Sequence, residues 1–290
     1  MEVWSHQGSV DISESTYNSI NRCIENIYFP EGVRYSAYLQ GSYKNSTNIP
    51  VDSDVDVVIE LTSAFKPNMS NLSEVKKELY STKYPNATYF IDEFKKDVIL
   101  ALQNYYDSNN VIIGNKAVKI KGNSGRLDAD VLIAVTYRYF WDVFKDKNDS
   151  YTEGIALKTK NGVWIHSYPK QHYENGIKKM NSTNHNYKSL IRIFKNIKLA
   201  SNFGNNKSFI SSYFLESLLY NLPNESFNGS YWDRVYKTLK YLHDCNDADL
   251  NNFTCQHELF DLFGSGEGQW SIDIAKKFVS STIEFWNGWK

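Results

Sequence analysis

The chain has 290 residues, of which 41% are hydrophobic and 22% charged, so a sizeable folded core is expected. Its 32 Lys and Arg against 33 Asp and Glu give a net charge of −1, which excludes a protein that is basic throughout. Contact with nucleic acid would therefore require a local basic patch.

The sequence shows no pattern typical of a signal peptide, a membrane-spanning helix or a disulfide framework. No run of 18 apolar residues occurs, and residues 1–11 lack the basic start and apolar stretch of a signal peptide. The three cysteines are too few and too scattered for a disulfide framework. These observations predict a cytoplasmic protein.

Hydrophobic periodicity predicts a mixture of helices and strands in the first 169 residues. In chain order, the predicted elements are a helix at 13–28, strands at 35–40 and 54–61, helices at 72–83 and 91–106, strands at 111–113, 117–121 and 127–135, and a hairpin of 155–158 with 163–166. Asn161-Gly162 is a typical hairpin turn.

Beyond Pro169 the strand patterns stop, and helices are predicted at 187–203, 210–222, 231–244 and 272–289. We therefore predict an α+β fold with a boundary near Lys170. Its first domain would span 1–170 and its helical C-terminal lobe 171–290.

A pair of carboxylates in an apolar strand carries the main chemical signal. Asp54 and Asp56 alternate with valines, so both should face the same side of the strand, roughly 6.6 Å apart. Two such carboxylates are costly unless a cation neutralises them, and Mg²⁺ binds carboxylates together with substrate phosphates. Twelve positions before Asp54, the turn at Gly41-Ser42 offers backbone N–H groups for a phosphate.

A second Asp-x-Asp, Asp128 and Asp130, lies in another apolar run and supplies a third carboxylate. Three carboxylates at neighbouring strand ends suit two-metal phosphoryl transfer. Each feature alone has a plainer interpretation, since an Asp-x-Asp is common at strand edges and Gly-Ser is an ordinary turn. Their combination favours a catalytic site.

These motifs resemble the signature of the polymerase-β-like nucleotidyltransferase superfamily. The second half narrows the resemblance to the bacterial CD-NTases, which synthesise cyclic oligonucleotide signals in anti-phage (CBASS) defence. The segments that carry it are 164–172 (WIHSYPKQH), 187–196 (YKSLIRIFKN) and 210–216 (ISSYFLE). The resemblance implies a nucleotidyltransferase palm, a mixed sheet with flanking helices, and a helical lobe, with the active site in the cleft between them.

The same resemblance assigns roles to individual residues. Asp54 and Asp56 would bind two ions of Mg²⁺ or Mn²⁺, and Asp130 would join them as a catalytic metal ligand. The residues implied to bind the donor nucleotide are Gly41, Ser42, Lys195, Ser212 and Tyr213. Tyr213 would stack on the base, although its apolar neighbours Phe214 and Leu215 alone favour a core aromatic.

The implied function is a cyclic oligonucleotide synthase that joins ribonucleoside triphosphates by attack of a ribose hydroxyl on the donor α-phosphate. The expected product is a cyclic dinucleotide such as cyclic GMP-AMP, and its effector would be a separate protein. The alternatives are a linear 2′–5′ oligoadenylate-type synthetase, a transferase that modifies a macromolecule, and an inactive nucleotide-binding sensor. Base identity, linkage and ring size are not readable from these residues.

Two further patterns remain. From His166 to Lys207 the chain carries eight basic residues and one acid, a charge of +7. One interpretation is that Lys195, with Lys188 or Arg192, faces the nucleotide phosphates while the other basic residues are solvated. The other hypothesis is an activating RNA or DNA on the stretch from Lys178 to Lys207. His243, Cys245, Cys255 and His257 are potential zinc ligands, but their spacing matches no common zinc motif and favours ordinary buried thiols and surface histidines.

Overall fold

A computed structural model of the chain describes residues 1–8, 10–50, 54–201, 210–266 and 268–289. It separates into two compact units. The sheet unit comprises 10–40 and 53–169, and the helical unit comprises 1–9, 41–52 and 170–290. The predicted domain boundary near residue 170 stays a prediction. Residues 1–9 and 41–52 precede that boundary but group with the helical unit.

The bounds of the elements are as follows. The strands are β1 Tyr35–Gln40, β2 Asp54–Asn68, β3 Val111–Ile113, β4 Val118–Ile120, β5 Asp128–Asp142, β6 Ser150–Lys158 and β7 Trp164–Ser167. The helices are α1 Glu2–Ser5, α2 Asp11–Glu25, α3 Gly41–Asn45, α4 Glu74–Lys83, α5 Ile91–Tyr106, α6 Pro169–Ser182, α7 Tyr187–Ala200, α8 Ser212–Tyr220, α9 Tyr231–Asp244, α10 Asp247–Asn251 and α11 Ile272–Gly288.

All strands described above belong to one mixed sheet. Its main order is β1-β2-β5-β4-β3, and β6 pairs with the second half of β5 and with β7. β2 runs parallel to β5, whereas the other pairs are antiparallel. The long strand β5 therefore joins β2 on one side to β4 and β6 on the other.

Alternation along β2 separates the two faces of the sheet. Val55 and Val57 are fully buried on one face. α2 contacts β2, α5 contacts β5, and the helix residues Ile20, Ile24 and Phe94 are fully buried. Asp54 and Asp56, on the opposite face, remain partly exposed. The apolar face thus anchors the strand and leaves its two carboxylates on the accessible side.

The helical unit has its own core. α7 and α8 contribute fully buried side chains, including Phe194, Ile197, Phe214 and Leu218, and α9 and α11 contribute Leu239 and Phe278 to the same cluster. The N-terminal segment 1–9 packs against this core, since α1 contacts α7.

The predicted α+β fold, with a mixed sheet, flanking helices and a helical C-terminal region, is confirmed. β2 and β5 are longer than predicted, because both continue past the irregularity in their register after Leu61. The Gly-Ser turn is the start of the short helix α3, and α1, α6 and α10 were not predicted. The predicted end of α7 at 203 lies outside the described residues. In the described ranges, no helix is long and apolar enough to span a membrane.

Gly154 provides a test of how β6 packs against the end of β7. A Cβ atom there would lie 2.6 Å from the Ser167 carbonyl oxygen and 2.7 Å from the Tyr168 ring. Gly154→Ala should therefore lower the free energy of unfolding by about 1–3 kcal/mol, because backbone must move to admit the methyl group. Denaturant titration measures the change.

The matched control is Gly288→Ala at the end of α11, where no heavy atom lies within 4 Å of the added Cβ. Its stability should stay at or slightly above that of the wild type. Equal stabilities of the two variants would contradict the packing described for Gly154.

Candidate active site

Two parallel strands place four carboxylates on one face of the sheet. In the β2–β5 register, Asp54 lies opposite Asp128 and Asp56 opposite Asp130. Neighbouring strands are roughly 4.8 Å apart, so side chains at paired positions are close neighbours. The register therefore gathers the three predicted catalytic carboxylates and Asp128 at the amino ends of both strands.

A lysine lies among these carboxylates. Lys119 belongs to β4 and pairs with Asp130 across the strand boundary. Its ammonium group lies 3.1 Å from Asp54 Oδ2 and 3.0 Å from Asp128 Oδ2. Lys119 thus partly neutralises the cluster, although all three side chains are more than a third exposed and water screens the pairs.

The two carboxylates of β5 differ in their electrostatics. The pKa of Asp128 is lowered by the hydrogen bond from the Gly122 N–H, 2.6 Å from its Oδ1, and by Lys119. The pKa of Asp130 is raised, first by burial and then by the negative charge of Asp54. Asp130 is the β5 carboxylate whose charged form would gain more from an added cation.

The donor set fits hard divalent cations, because it consists of carboxylate oxygens and already holds a cationic ammonium group. Within the described ranges, no three His, Cys, Asp or Glu side chains form a ready metal site. Asp54, Asp56 and Asp130 therefore lie on one face as predicted, whereas their role as metal ligands remains a prediction.

The predicted phosphate-binding residues Gly41 and Ser42 open α3 in the helical unit. Gly41 has a φ of 65°, a left-handed conformation that glycine adopts without steric cost. Ser42 is half-buried, and its carbonyl oxygen accepts a hydrogen bond from the Thr47 N–H at 2.9 Å. This hydrogen bond links the end of the segment 42–47 back to its first residue, Ser42.

Lys195, on α7, is buried at 4% exposure. Its ammonium group donates to the Thr47 carbonyl oxygen at 3.0 Å. In this structure its positive charge therefore supports the backbone near Ser42, and its predicted contact with the triphosphate remains a prediction.

Ser212 and Tyr213 begin α8. The Tyr213 ring centroid lies 5.0 Å from that of His172 and 5.9 Å from that of Trp270, and both pairs are nearly parallel. This packing is what the core-aromatic alternative predicts. Stacking of Tyr213 on a base, and hydrogen bonding by Ser212, remain predictions.

Much of the basic stretch is used inside the helical unit. The basic residues engaged there include Lys178, Lys179, Lys188, Arg192 and Lys195. Burial lowers the pKa of both Lys179 and Lys188. Lys207 lies outside the described residues. The internal contacts reduce the charge that this stretch can offer to a nucleic acid.

The potential zinc ligands have other partners. His257 Nδ1 accepts from the Leu259 N–H at 3.0 Å, and the Cys255 thiol lies 3.8 Å from the Asp261 carbonyl oxygen. Burial lowers the pKa of His257 to about 4, with a smaller contribution from His172. No metal-binding group that includes His243 or Cys245 occurs in the part of the chain that the structure describes.

Two polar residues were missed by the sequence reasoning. Lys119 lies between apolar residues of a short strand, and Glu216 is the one charged residue of the mostly apolar helix α8. Isolated charges in apolar elements were the available signal in both cases. Their partners are remote in sequence, so only the fold reveals what each charge contacts.

Comparison with known proteins agrees with this architecture. Residues 174–287 match the family model of the cGAS/DncV-like nucleotidyltransferase C-terminal helical domain. The cyclic UMP-AMP synthase of Rhodothermus marinus is 38% identical over 100% of this chain and 97% of its own length. The cyclic nucleotide synthase CdnE01 of Staphylococcus haemolyticus is 37% identical over 100% of this chain and 98% of its own.

The solved structures include a similar fold over nearly the full length. The structure of the Rhodothermus marinus CdnE c-UMP-AMP synthase with Apcpp and Upnpp superposes with a TM-score of 0.88 at 37% identity, covering 99% of this chain and 95% of the other. The chain therefore belongs to the cGAS/DncV-like nucleotidyltransferase (CD-NTase) family and is a nucleotidyltransferase.

Proposed function

We propose that the protein joins ribonucleoside triphosphates into a cyclic oligonucleotide, with a cyclic dinucleotide as its main product. The observation that carries the proposal is the parallel register that aligns Asp54 and Asp56 with Asp128 and Asp130. Full-length relatives named as cyclic UMP-AMP synthase and cyclic nucleotide synthase support it independently.

The reaction is nucleotidyl transfer. The acceptor ribose hydroxyl attacks the α-phosphorus of the donor, a new P–O bond forms, and the bond to the β-phosphate breaks. Pyrophosphate leaves, and the hydroxyl proton passes to solvent. A second transfer within the linear intermediate closes the ring with loss of another pyrophosphate. Alignment and charge stabilisation are what the protein must supply for such a transfer.

In the proposed mechanism, Asp54, Asp56 and Asp130 would hold two Mg²⁺ or Mn²⁺ ions, which would supply positive charge to polarise the acceptor hydroxyl and to neutralise the triphosphate. Gly41 and Ser42 bind and orient that triphosphate through the backbone and hydroxyl groups at the start of α3. Lys195 adds positive charge, and Ser212 and Tyr213 belong to the surroundings of the donor nucleotide.

The bases of the product remain open to experiment. Cyclic GMP-AMP is the product expected from the motifs, whereas the Rhodothermus marinus relative is named for cyclic UMP-AMP. A mixture of all four triphosphates therefore has to be offered to the enzyme. Linkage and ring size are read from the same product.

We further propose that the product serves as a second messenger in anti-phage defence and acts on a separate effector protein. We also propose that it does so in the bacterial cytoplasm, where cysteines are kept reduced; the three cysteines here are free thiols. An activating RNA or DNA remains a weaker proposal, because several basic residues of the stretch from Lys178 to Lys207 are committed to internal contacts.

Product analysis tests the proposed function. Incubation with four ribonucleoside triphosphates and Mg²⁺ or Mn²⁺, with and without RNA, should give a phosphatase-resistant compound with the mass of a cyclic oligonucleotide. Asp54→Asn and Asp130→Asn should each lower the rate roughly 100-fold or more, because each removes a carboxylate from the charge-stabilising site. Mass spectrometry and the rate of pyrophosphate release give the result.

Asp128→Asn is the matched variant, since Asp128 is on the same face but is already held by Gly122 and Lys119. We expect a smaller loss than for Asp130→Asn. Phosphatase-sensitive products alone would indicate a linear synthetase, and label transferred to added RNA or protein would indicate a macromolecule-directed transferase. Absence of any triphosphate consumption, with and without RNA, would favour the inactive sensor.

Lys119 allows a test of cation binding that does not depend on turnover. Because its ammonium group contacts Asp54 and Asp128, a divalent cation must compete with it for these carboxylates. Lys119→Met should therefore bind Mn²⁺ several-fold more tightly than the wild type, and added Mn²⁺ should raise its Tm by more. Calorimetric titration and thermal melting measure both effects.

The control is Lys158→Met, which removes a comparable lysine from its 2.7 Å pair with Asp92 in the same unit. Its Mn²⁺ affinity should match that of the wild type. Unchanged or weaker Mn²⁺ binding by Lys119→Met would show that the lysine is not a competitor for the carboxylate cluster.

A further inference from the structure

The helical unit encloses an ionised carboxylate that none of the predicted roles uses. Glu216, on α8, is 3% exposed. It accepts hydrogen bonds from Thr47 Oγ1 at 2.5 Å and Asn45 Nδ2 at 3.1 Å, and it pairs with His172 Nε2 at 2.7 Å. Burial raises its pKa, but His172, the Thr47 hydroxyl and the charge of Lys195 outweigh burial, so the net pKa is below the usual range. Both oxygens of the buried carboxylate thus have partners.

Thr47 connects this carboxylate to the predicted phosphate-binding turn. Its side chain donates to Glu216, its carbonyl oxygen accepts from Lys195 at 3.0 Å, and its N–H donates to the Ser42 carbonyl oxygen at 2.9 Å. Thr47 itself is 2% exposed. Three polar groups of one residue are therefore fixed, and one of them is bonded directly to Ser42.

A neighbouring cation strengthens the same segment. Arg192, on α7, donates to the carbonyl oxygens of Ser46 and Ser5 at 2.6 and 2.5 Å. Arg192 and Lys195 on α7 thus hold the backbone carbonyls of residues 46 and 47, and Glu216 on α8 holds the side chains of Asn45 and Thr47. The loop after α3 is consequently bound to α7 and α8 by charged side chains.

Stability alone does not explain this arrangement. Replacing buried ionic groups by well-packed apolar ones is often neutral or stabilising, whereas removing one partner is strongly destabilising. Charge-assisted hydrogen bonds do, however, fix distances and directions more narrowly than apolar contacts. A network of this kind is suited to holding a backbone turn in one position.

We propose that Glu216 is a positioning residue which, through Thr47, holds Ser42 in place for the donor triphosphate. This inference rests on the proposed function, since it assigns Ser42 to the triphosphate. Glu216 itself contacts no substrate in this scheme. Its effect would be on nucleotide binding, with little effect on the chemical step.

Thr47→Val tests this proposal, because valine keeps the shape and burial but removes the hydroxyl that Glu216 accepts. We expect KM for the triphosphate to rise about tenfold with kcat changed by less than about threefold, as for lost ground-state positioning. The dissociation constant of Apcpp, a non-reactive ATP analogue, should rise by a similar factor. An unchanged KM and Apcpp affinity would overturn the proposal.

Thr282→Val is the matched control. Thr282 is fully buried in the same unit, and its hydroxyl bonds to the Phe278 carbonyl oxygen of its own helix at 2.7 Å. The same chemical change there should lower Tm without changing KM or Apcpp affinity. An equal rise in KM for both variants would show that general destabilisation, and not positioning, is responsible.

A double-mutant cycle tests the route through Thr47. Glu216→Gln should weaken Apcpp binding, and adding Thr47→Val to it should weaken binding no further. If the double variant weakens Apcpp binding by the product of the two separate factors, the proposed route through Thr47 is wrong. Glu60→Gln controls for loss of a buried carboxylate elsewhere, since Glu60 is 2% exposed and accepts from Tyr38 and Thr136 in the sheet unit.

The two proposals fail separately. Absence of a cyclic product in the wild type would contradict the proposed function, while Apcpp titration of Thr47→Val still decides whether the network positions a triphosphate site. An active wild type with unchanged Thr47→Val binding would contradict only the positioning role. If Glu216→Gln does not fold, Thr47→Val and Thr282→Val still decide the outcome.

Discussion

The parallel pairing of β2 with β5 is the constraint on which the sheet unit depends. It brings two Asp-x-Asp sequences into register, so that four negative charges share one face while valines on the other face secure the strands. Such a cluster repels itself unless positive charge is nearby. The lysine of β4 supplies that charge in the protein alone. The cluster of four aspartates would be unfavourable by itself. Apolar packing on the other face of β2 and β5 holds the strands together in spite of it.

Buried carboxylates recur in both units, with different partners. In the sheet unit, Glu60 accepts from the hydroxyl groups of Tyr38 and Thr136 at 2.9 and 2.7 Å. In the helical unit, Glu216 has a hydroxyl, an amide and an imidazole as partners, with the Lys195 charge nearby. Each site avoids the cost of an unpaired buried charge by donors from other elements. Glu60 and Glu216 therefore restrict how the elements that supply their donors can pack.

Local patterns predicted the strongly periodic elements well and the contacts between them poorly. α5 and α9 begin and end as predicted, because their apolar residues recur at helical spacing over the whole length. α6 was missed because its sequence is mostly polar and its few buried residues face other elements. The alternation around Asp54 predicted which carboxylates share a face. Lys119 and Thr47 were not predictable, because strand order and a contact 169 positions away in sequence determine their roles.

The assignment of residues 41–52 to the helical unit has a consequence for dissecting the protein. A fragment that begins at Lys170 would retain Glu216 and His172 but would lack both Thr47 and Asn45. Its interior would then contain a carboxylate with fewer donors than it needs, and the fragment would be unstable or would rearrange. Expression of the C-terminal half as an autonomous piece, or exchange of that half between relatives, therefore has to include the short segment from the N-terminal half that completes its interior.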